Sequence, residues 1–506
     1  MSLKRILKLL AAIFAGQGVS IVTQLLIPPL FLRRYAHGVE VYGEWVALAA
    51  VVSYLNTLNY GIQNYANNQM SIHYNRGEME EARAVQASAF RMLLVAVVVV
   101  LTAGATVLLL PLSQWMGLTT ITSRSASATV YLLIVQIVTN WCFAFLAGSY
   151  MALGESHRGQ HWTNGQRFFT VLTLSAFLWV RAPFPILALV QLLSSALFAF
   201  LVLLDLRMRA PILVPALRFG SWKKTLSLIR PTGYFALLAV SAFFSFQGPV
   251  LVIEKILGPA AVAIFALTRV VFNMGRQLLS IVTFSIAQDI TRLVGQRSWV
   301  QLGRLYEFSE RVVLLLIPTT TICTLLLSPL LFTVWLHKRS LYVPAICLTM
   351  AAYSAVMGIK EHKVQFQWSS NEHTGLSKFT LVMSFTTLVA SAFLLKPFGV
   401  QGFLCLWIAS EILQVAYILN LNTKLFPREV NISKRPVIRL AGILALSFTL
   451  AAWPARQGVH WPLPLVIATA MGTTAVVGFV SYFAFDLTDV LAVLRTRLRR
   501  RLAVIE

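Results

Sequence analysis

The sequence predicts an all-α, polytopic membrane protein with about 14 transmembrane helices. Three observations carry the prediction: 58% of the 506 residues are hydrophobic, only 12% are charged, and the apolar residues form long runs. A helix needs about 20 apolar residues to cross a bilayer. Runs of this kind recur from one end of the chain to the other. The composition excludes an ordinary soluble domain.

The apolar runs place the individual spans. The first is interpreted as an uncleaved helix rather than a signal peptide, because its apolar run continues past Val22 without a convincing cleavage site. The fourteen predicted spans are 7–31, 43–62, 90–112, 128–152, 168–180, 184–206, 232–256, 260–284, 312–332, 343–359, 379–395, 402–421, 438–455 and 464–485. They give an N-terminal six-helix lobe (1–206), an amphipathic cytoplasmic linker (207–230), a C-terminal six-helix lobe (231–421), two additional transmembrane helices (438–485) and a basic cytoplasmic tail (486–506).

Positive charge supports this topology. If both termini are cytoplasmic, 31 of the 42 lysines and arginines fall on the cytoplasmic side, nine on the opposite side, and two, Arg269 and Arg276, inside a span. Basic residues are retained on the cytoplasmic side of a membrane, and a miscount of one span would remove the asymmetry. The net charge of +24 therefore follows from topology and from attraction to membrane lipids, and no nucleic acid is expected as a partner.

The two predicted lobes repeat in sequence. When the chain is shifted against itself by one constant offset without gaps, Pro28 aligns with Pro249 and Arg76 with Arg297, in a register that holds from the first span to the third. An even number of spans per repeat gives parallel lobes related by an axis along the membrane normal, as in transporters that rock about a central site. The sequence therefore predicts a central cavity between the two lobes.

The candidate site lies in the stretch 260–287, which is apolar enough to span the membrane. Arg269 falls near the bilayer midplane, Arg276 lies two turns further along the same face, and Asn273 and Gln277 extend this polar stripe. A guanidinium in hydrocarbon costs about 3 kcal/mol or more, so it normally faces a bundle interior or an aqueous cavity. We predict a cationic cavity that holds an anion, lined by these four residues and by Asn56, which the repeat aligns with Gln277. In the alternative, Arg276 extends to the cytoplasmic surface and one buried acid neutralises Arg269.

Acidic residues inside the predicted spans are few. Glu411 lies about nine residues into the twelfth span, and three roles are open to it: an ion pair with an arginine, a coupling-ion site, or a protonated core residue. Asp205 and Glu254 fall at span ends, where we expect them at the membrane interface.

Other functional motifs are not expected. All eight histidines fall in predicted loops, including the i, i+4 pair His157 and His161, for which a solvated loop is preferred to a metal site. The four cysteines lie singly in apolar runs, so we predict no disulfide and no metal. No glycine-rich phosphate loop occurs, and no cofactor is expected.

The first hundred residues resemble a known family. The motifs are FLRRY at the end of the first span, Tyr42-Gly43-Glu44-Trp45, Asn59-Tyr60-Gly61-Ile62, Asn67-Asn68, Arg76-Gly77 and Ala82-Arg83. This pattern resembles the O-antigen and polysaccharide flippases of the multidrug/oligosaccharidyl-lipid/polysaccharide exporter superfamily. The remainder of the chain matches in span count and charge.

The resemblance implies a function. It implies two six-helix lobes around a cationic cavity, and export of an undecaprenyl-pyrophosphate-linked oligosaccharide from the inner to the outer leaflet of the bacterial inner membrane, together with other polysaccharide assembly proteins. Guanidinium groups bind phosphate oxygens through paired hydrogen bonds, so the arginines suit a pyrophosphate. Flipping makes no covalent bond, so an enzyme is not expected.

Three alternatives remain open from the sequence. A lipid II-type peptidoglycan precursor flippase would also have fourteen spans. A multidrug cation exporter of the same superfamily would need acids to hold cations, and the first span has none. A glycan polymerase or ligase would be expected to carry a large external loop, which the predicted topology lacks.

Overall fold

The fold is all-α, as predicted. The computed structural model describes residues 3–53, 55, 63, 66–67, 69–70, 73–74, 76–229, 240–295, 297–370, 372, 374–427 and 432–487. These residues form helices, turns and short connections, and none of them lies in a strand.

Contacts divide the chain into two compact units, Met1–Ala263 and Ile264–Glu506. The first unit contains α1 (Leu3–Arg34), α2 (Gly38–Ser53), α3 (Met79–Ala105), α4 (Leu112–Met116), α5 (Ser123–Gly148), α6 (Ser156–Trp179), α7 (Phe184–Arg209), α8 (Trp222–Ser227) and α9 (Gly248–Leu257). The second unit contains most of α10 (Pro259–Gly295), and then α11 (Trp299–Leu330), α12 (Pro344–Ser369), α13 (Thr374–Leu425), α14 (Arg435–Gln457) and α15 (Leu463–Ala484). The lobe boundaries at 206 and 231 stay predictions.

Ten helices in the described part of the chain are long and apolar enough to cross a membrane. The predicted spans 43–62, 168–180 and 343–359 correspond to α2, α6 and α12. These three are not among the ten, because the described part of α2 is only 16 residues long and the other two carry more polar residues. The polytopic, all-α architecture is thereby confirmed.

Helix α13 is a hairpin rather than a single rod. Its 52 residues would measure about 78 Å at 1.5 Å per residue, more than twice the hydrocarbon thickness of about 30 Å. The chain turns at Gly399, whose φ of 58° and ψ of −160° lie in a region that only glycine adopts readily. The Thr387 hydroxyl donates to Ser410 over 2.7 Å, and the Phe379 and Tyr417 rings stack 4.0 Å apart. These pairs centre on the turn, so α13 comprises the predicted eleventh and twelfth spans.

The helix bounds show the same repeat as the sequence. Helix α2 begins at Gly38 and α10 begins at Pro259. The spacing between these two starts equals the spacing between Pro28 and Pro249, which the sequence repeat aligns. Helices α5 and α12 are both 26 residues long, and both of their ends are related by this same offset. The aligned positions therefore mark equivalent helices of one repeated pattern.

Helix α12 extends further than predicted. The predicted span ended at residue 359, but the helix continues to Ser369 and buries Lys363 and His362. The prediction that all histidines lie in loops is therefore wrong for His362, and His157 and His161 also lie in a helix, α6. Lys360 and Lys363 therefore belong to the helix and not to the cytoplasmic loop, and the number of lysines and arginines assigned to the cytoplasmic side falls from 31 to 29. Against nine on the opposite side, the charge asymmetry between the two sides remains.

The linker and the tail are only partly described. Helix α7 continues to Arg209, and between it and Leu228 the chain forms two short 3₁₀ turns and the six residues of α8. Gly220 packs against the backbone of α3 so closely that an added Cβ would lie 2.9 Å from the Ala87 carbonyl carbon. Trp222 and Leu226 are exposed, and the amphipathic cytoplasmic linker stays a prediction. The predicted basic tail lies almost wholly outside the described residues.

Candidate functional site

The polar stripe of α10 lies in the second unit. The Arg276 guanidinium forms an ion pair with Glu361 of α12, and its second amino group donates to Asn273 Oδ1 over 2.9 Å. Arg276 therefore does not extend to the cytoplasmic surface. The Arg276 side chain keeps 16% of its surface exposed and Glu361 keeps 31%, so this ion pair is open on one side.

Arg269 lies two turns earlier on the same helix. Its guanidinium carbon is 5.1 Å from the centre of the Phe265 ring, a cation–π contact. Tyr353 of α12 lies within electrostatic range of Arg269, Arg276 and Glu411. One tyrosine of α12 thus lies near both predicted arginines and the predicted acid.

Glu411 is paired with a lysine that the sequence analysis did not consider as its partner. Lys360 Nζ lies 2.7 Å from Glu411 Oε2 and also donates to Gln414 Oε1 over 2.7 Å. Glu411 is fully buried, and its other oxygen has no hydrogen-bond partner among the described residues. Of the roles left open by the sequence, the structure gives Glu411 an ion-pair partner that the sequence analysis had placed in a loop.

These side chains form one group, which we term the basic cluster. Its members are Arg269, Asn273 and Arg276 of α10, Tyr353, Lys360 and Glu361 of α12, and Glu411 and Gln414 of α13. It holds three cationic and two acidic side chains, a net charge of +1. Of the predicted site residues, the cluster unites Arg269, Asn273, Arg276 and Glu411.

The two remaining predicted residues have different outcomes. Gln277 follows Arg276 on the helix, and its side-chain oxygen is buried without a partner among the described residues. Asn56 lies outside the described residues, so its predicted role stays a prediction.

A second ion pair lies beside the basic cluster on α12. Lys363 pairs with Glu310 of α11 and lies 4.0 Å from the Tyr306 ring. Their side chains are only 1% and 5% exposed. We call this the sealed pair. His362 Nε2 is 2.9 Å from the Ser309 hydroxyl, so four consecutive residues, Lys360-Glu361-His362-Lys363, contact partners on three other helices.

The first unit has an uncharged polar network that the sequence analysis did not find. Gln166 of α6 donates to Asn140 over 2.8 Å and to Ser195 over 3.1 Å, and Gln136 donates to the same serine over 3.1 Å. Asn164 donates to the carbonyl of Ala12 over 2.7 Å. The sequence signal that points to such a network is the recurrence of amide side chains at positions i and i+4 in otherwise apolar spans.

Asp205 is buried by protein rather than exposed at an interface. Arg158 donates to both its oxygens, at 2.6 and 2.9 Å, and the Tyr150 hydroxyl donates to it as well. The hydrogen bond to Asp205 raises the pKa of the Arg158 guanidinium. This network joins the 3₁₀ turn that follows α5 (Ser149–Met151) to α6 and α7.

Chemically, the basic cluster can bind an anion. Guanidinium groups present paired donors that fit phosphate or carboxylate oxygens. Because the Arg276–Glu361 pair is open, an external anion can compete with Glu361 for the guanidinium. The described residues contain no group of three or more histidine, cysteine, aspartate or glutamate side chains arranged to hold a metal.

Comparison with known proteins gives the fold a precedent. No protein-family model and no curated protein match the sequence. The lipid II flippase MurJ, in an inward closed conformation, superposes with a TM-score of 0.67 at 10% identity, over 97% of this chain and 100% of that one. An inward-facing multidrug resistance MATE family transporter of the MOP superfamily gives 0.63 at 13%, over 81% and 95%. The MATE multidrug transporter DinF-BH gives 0.62 at 15%, over 83% and 95%. The protein therefore has the fold seen in these transporters and in MurJ.

Proposed function

We propose that the protein is a membrane transporter that flips a lipid-linked oligosaccharide, joined to its lipid through a pyrophosphate, from the inner to the outer leaflet of the bacterial inner membrane. It requires no covalent chemistry and no cofactor, so it is not an enzyme. Both termini would be cytoplasmic, with other polysaccharide assembly proteins as partners. The fold shared with MurJ and the MATE transporters supports a transporter of this kind.

The observation that carries the proposal is the difference between the two ion pairs of α12. The Lys363–Glu310 pair is sealed, as a structural ion pair would be, whereas the Arg276–Glu361 pair is partly exposed. Charged groups do not face hydrocarbon, so the exposed side of the basic cluster is proposed to face an aqueous path. There Arg269 and Arg276 would hold the pyrophosphate, and Asn273 and Gln277 would hydrogen-bond the sugars.

The chemistry of the substrate fits this arrangement. A polar headgroup crossing hydrocarbon unaided loses its hydrogen bonds to water, at several kcal/mol for each unpaired group. A basic path replaces those bonds while the lipid tail stays in the bilayer. The net charge of +1 in the basic cluster favours an anion over a cation and so disfavours a multidrug cation exporter.

A lipid II-type precursor is the second candidate, supported by the likeness to MurJ over 97% of this chain. It carries the same pyrophosphate, so the basic cluster suits both substrates. The two are distinguished by the sugar portion in a flipping assay.

The test is a flipping assay in proteoliposomes, with a fluorescent polyprenyl-pyrophosphate oligosaccharide and a membrane-impermeant quencher. Arg269→Ala is expected to lower the flipping rate at least tenfold, about 1.4 kcal/mol, while the protein still folds. Arg269→Lys should recover part of the rate, because an ammonium keeps the charge but loses the paired donors. Arg276→Ala should be milder. Arg304→Ala, at an exposed position of α11, is the control.

Three outcomes contradict the proposal. Flipping that survives Arg269→Ala at the parent rate would exclude Arg269 from the path. Loss of folding in Arg269→Ala, reversed by also neutralising Glu411, would show a structural charge network instead. Efflux of a lipophilic cation without flipping would assign the protein to the multidrug exporters.

A further inference from the structure

Two glutamates of the first unit lie buried close together. Glu44 in the first turns of α2 is fully buried, and Glu254 in the last turn of α9 is 2% exposed. Glu254 was expected at the membrane interface, but protein encloses it. The two carboxyl groups lie within electrostatic range of each other. In the predicted topology both helix ends are external.

Glu44 is fully engaged in hydrogen bonds. The backbone amides of Thr119 and Thr120 donate to its Oε1 at 2.5 and 2.8 Å, and the Thr119 hydroxyl donates to the same oxygen over 3.2 Å. The Thr120 hydroxyl donates to Oε2. Four donors and no acceptor suit a carboxylate, which only accepts.

Glu254 has the opposite surroundings. Both its oxygens are buried and neither has a hydrogen-bond partner among the described residues. The adjacent Lys255 is directed elsewhere, since its ammonium donates to the carbonyl of Trp115 in α4. Among the charged side chains of the described α2, α4 and α9, Glu44 lies within electrostatic range of Glu254, and Lys255 is engaged by Trp115. A carboxylate with no partner in such a place is very costly.

The packing around this pair leaves little room for adjustment. Helix α9 packs on α2. Just after α9, at the first residue of α10, the Pro259 carbonyl oxygen would lie 1.9 Å from a Cβ added at Gly43 of α2. Only glycine permits this approach, so α2 lies tightly against the junction between α9 and α10.

We propose that Glu254 is a proton-binding site whose proton holds α9 against α2. When Glu254 carries the proton it is neutral, and it packs beside the carboxylate of Glu44 without repulsion. When it releases the proton, two negative charges face each other and the buried oxygens require water, so the α2–α9 contact opens. A metal ion fits less well, because hard cations take about six oxygen ligands and those of Glu44 are already engaged by the threonines. This inference goes beyond the proposed function, and its test uses no substrate.

The test measures access to the α2–α9 contact as a function of pH. The full-length protein, with its four native cysteines replaced by serine, carries Val250→Cys, a fully buried position one turn before Glu254. A second protein carries Leu257→Cys, at a position that is 37% exposed on the same helix. At each pH the maleimide labelling rate of Val250→Cys is divided by that of Leu257→Cys, and this labelling ratio removes the effect of thiol ionisation. For an opening linked to one proton, the ratio is expected to rise with pH by up to about tenfold per unit.

Variants of the two acids complete the test. Glu254→Gln, a neutral isostere, should keep the ratio low at every pH, and Glu44→Gln should reduce the rise because one charge remains. If Glu254→Gln does not fold, infrared spectroscopy of the unmodified protein takes the place of this variant. The quantity measured is then the carbonyl band of a protonated carboxylic acid. That band should disappear over the pH range in which labelling rises.

Three results would overturn the proposal: a ratio that does not change with pH in the parent, a rise that persists in Glu254→Gln, or a response to sodium at fixed pH instead of to protons. The infrared band decides likewise, since its absence at every pH excludes a protonated Glu254.

Discussion

Replacing Lys360 by methionine tests whether the ion pair with Glu411 stabilises the second unit. Lys360 Nζ lies 2.7 Å from Glu411 Oε2, and Glu411 is fully buried. At this distance and an effective dielectric constant of about 20, the attraction is about 6 kcal/mol. Lys360→Met keeps the apolar stem but leaves the carboxylate without its cation.

The expected loss of stability is smaller than that attraction. Removing one partner of a buried ion pair costs about 3–5 kcal/mol. We therefore expect Lys360→Met to lower the free energy of unfolding by about 3–5 kcal/mol.

The assay is denaturant unfolding of the purified protein in detergent, with Lys378→Met at an exposed position of α13 as the matched control. The double variant Lys360→Met/Glu411→Gln removes both charges and should regain most of the loss. Parent-like stability of Lys360→Met would refute the reasoning. So would a double variant no more stable than the single one, because the loss would then come from packing of the lysine stem.

Two further predictions concern the turn of α13 and the topology. Gly399→Ala places a Cβ at a φ of 58° and should lower the free energy of unfolding by about 1–3 kcal/mol. The control is Gly442→Ala, in open space on α14, which should be neutral or stabilising. Unfolding measurements that show equal effects for the two variants would contradict the strained turn. Single cysteines at Arg218 and Lys338, both exposed, should react with an impermeant reagent from opposite sides of the membrane, and labelling of both from outside would contradict the fourteen-span topology.

The fold was largely predictable because membrane-spanning helices appear in the sequence as long apolar runs. The runs located the helices, and the loop at residues 396–401 located the turn at Gly399 before any backbone angle was known. The repeat was also predictable, since the offset that aligns Pro28 with Pro249 also relates both ends of α5 and α12.

The candidate site was less predictable because hydropathy ends a span where charge begins. The prediction stopped α12 at residue 359 and so placed Lys360, Glu361 and Lys363 in a loop, whereas their charges are neutralised by partners on other helices. Applying the repeat would have corrected this, because the fourth span was predicted to end at residue 152, and the repeat aligns that position with residue 373. The partner of Glu411 is a tertiary contact that no local pattern encodes.

The four consecutive residues Lys360 to Lys363 have a consequence for motion. Successive side chains on a helix point about 100° apart, and here they contact α13, α10 and α11. A rotation of α12 by one residue, or a slide by one turn, would break two buried ion pairs, one half-buried pair and a hydrogen bond together. Exchanging the ion pairs one at a time would leave a charge without its partner at each step. The interior of the second unit is therefore expected to stay fixed during a transport cycle, and conformational change is expected where packing depends on fewer simultaneous contacts.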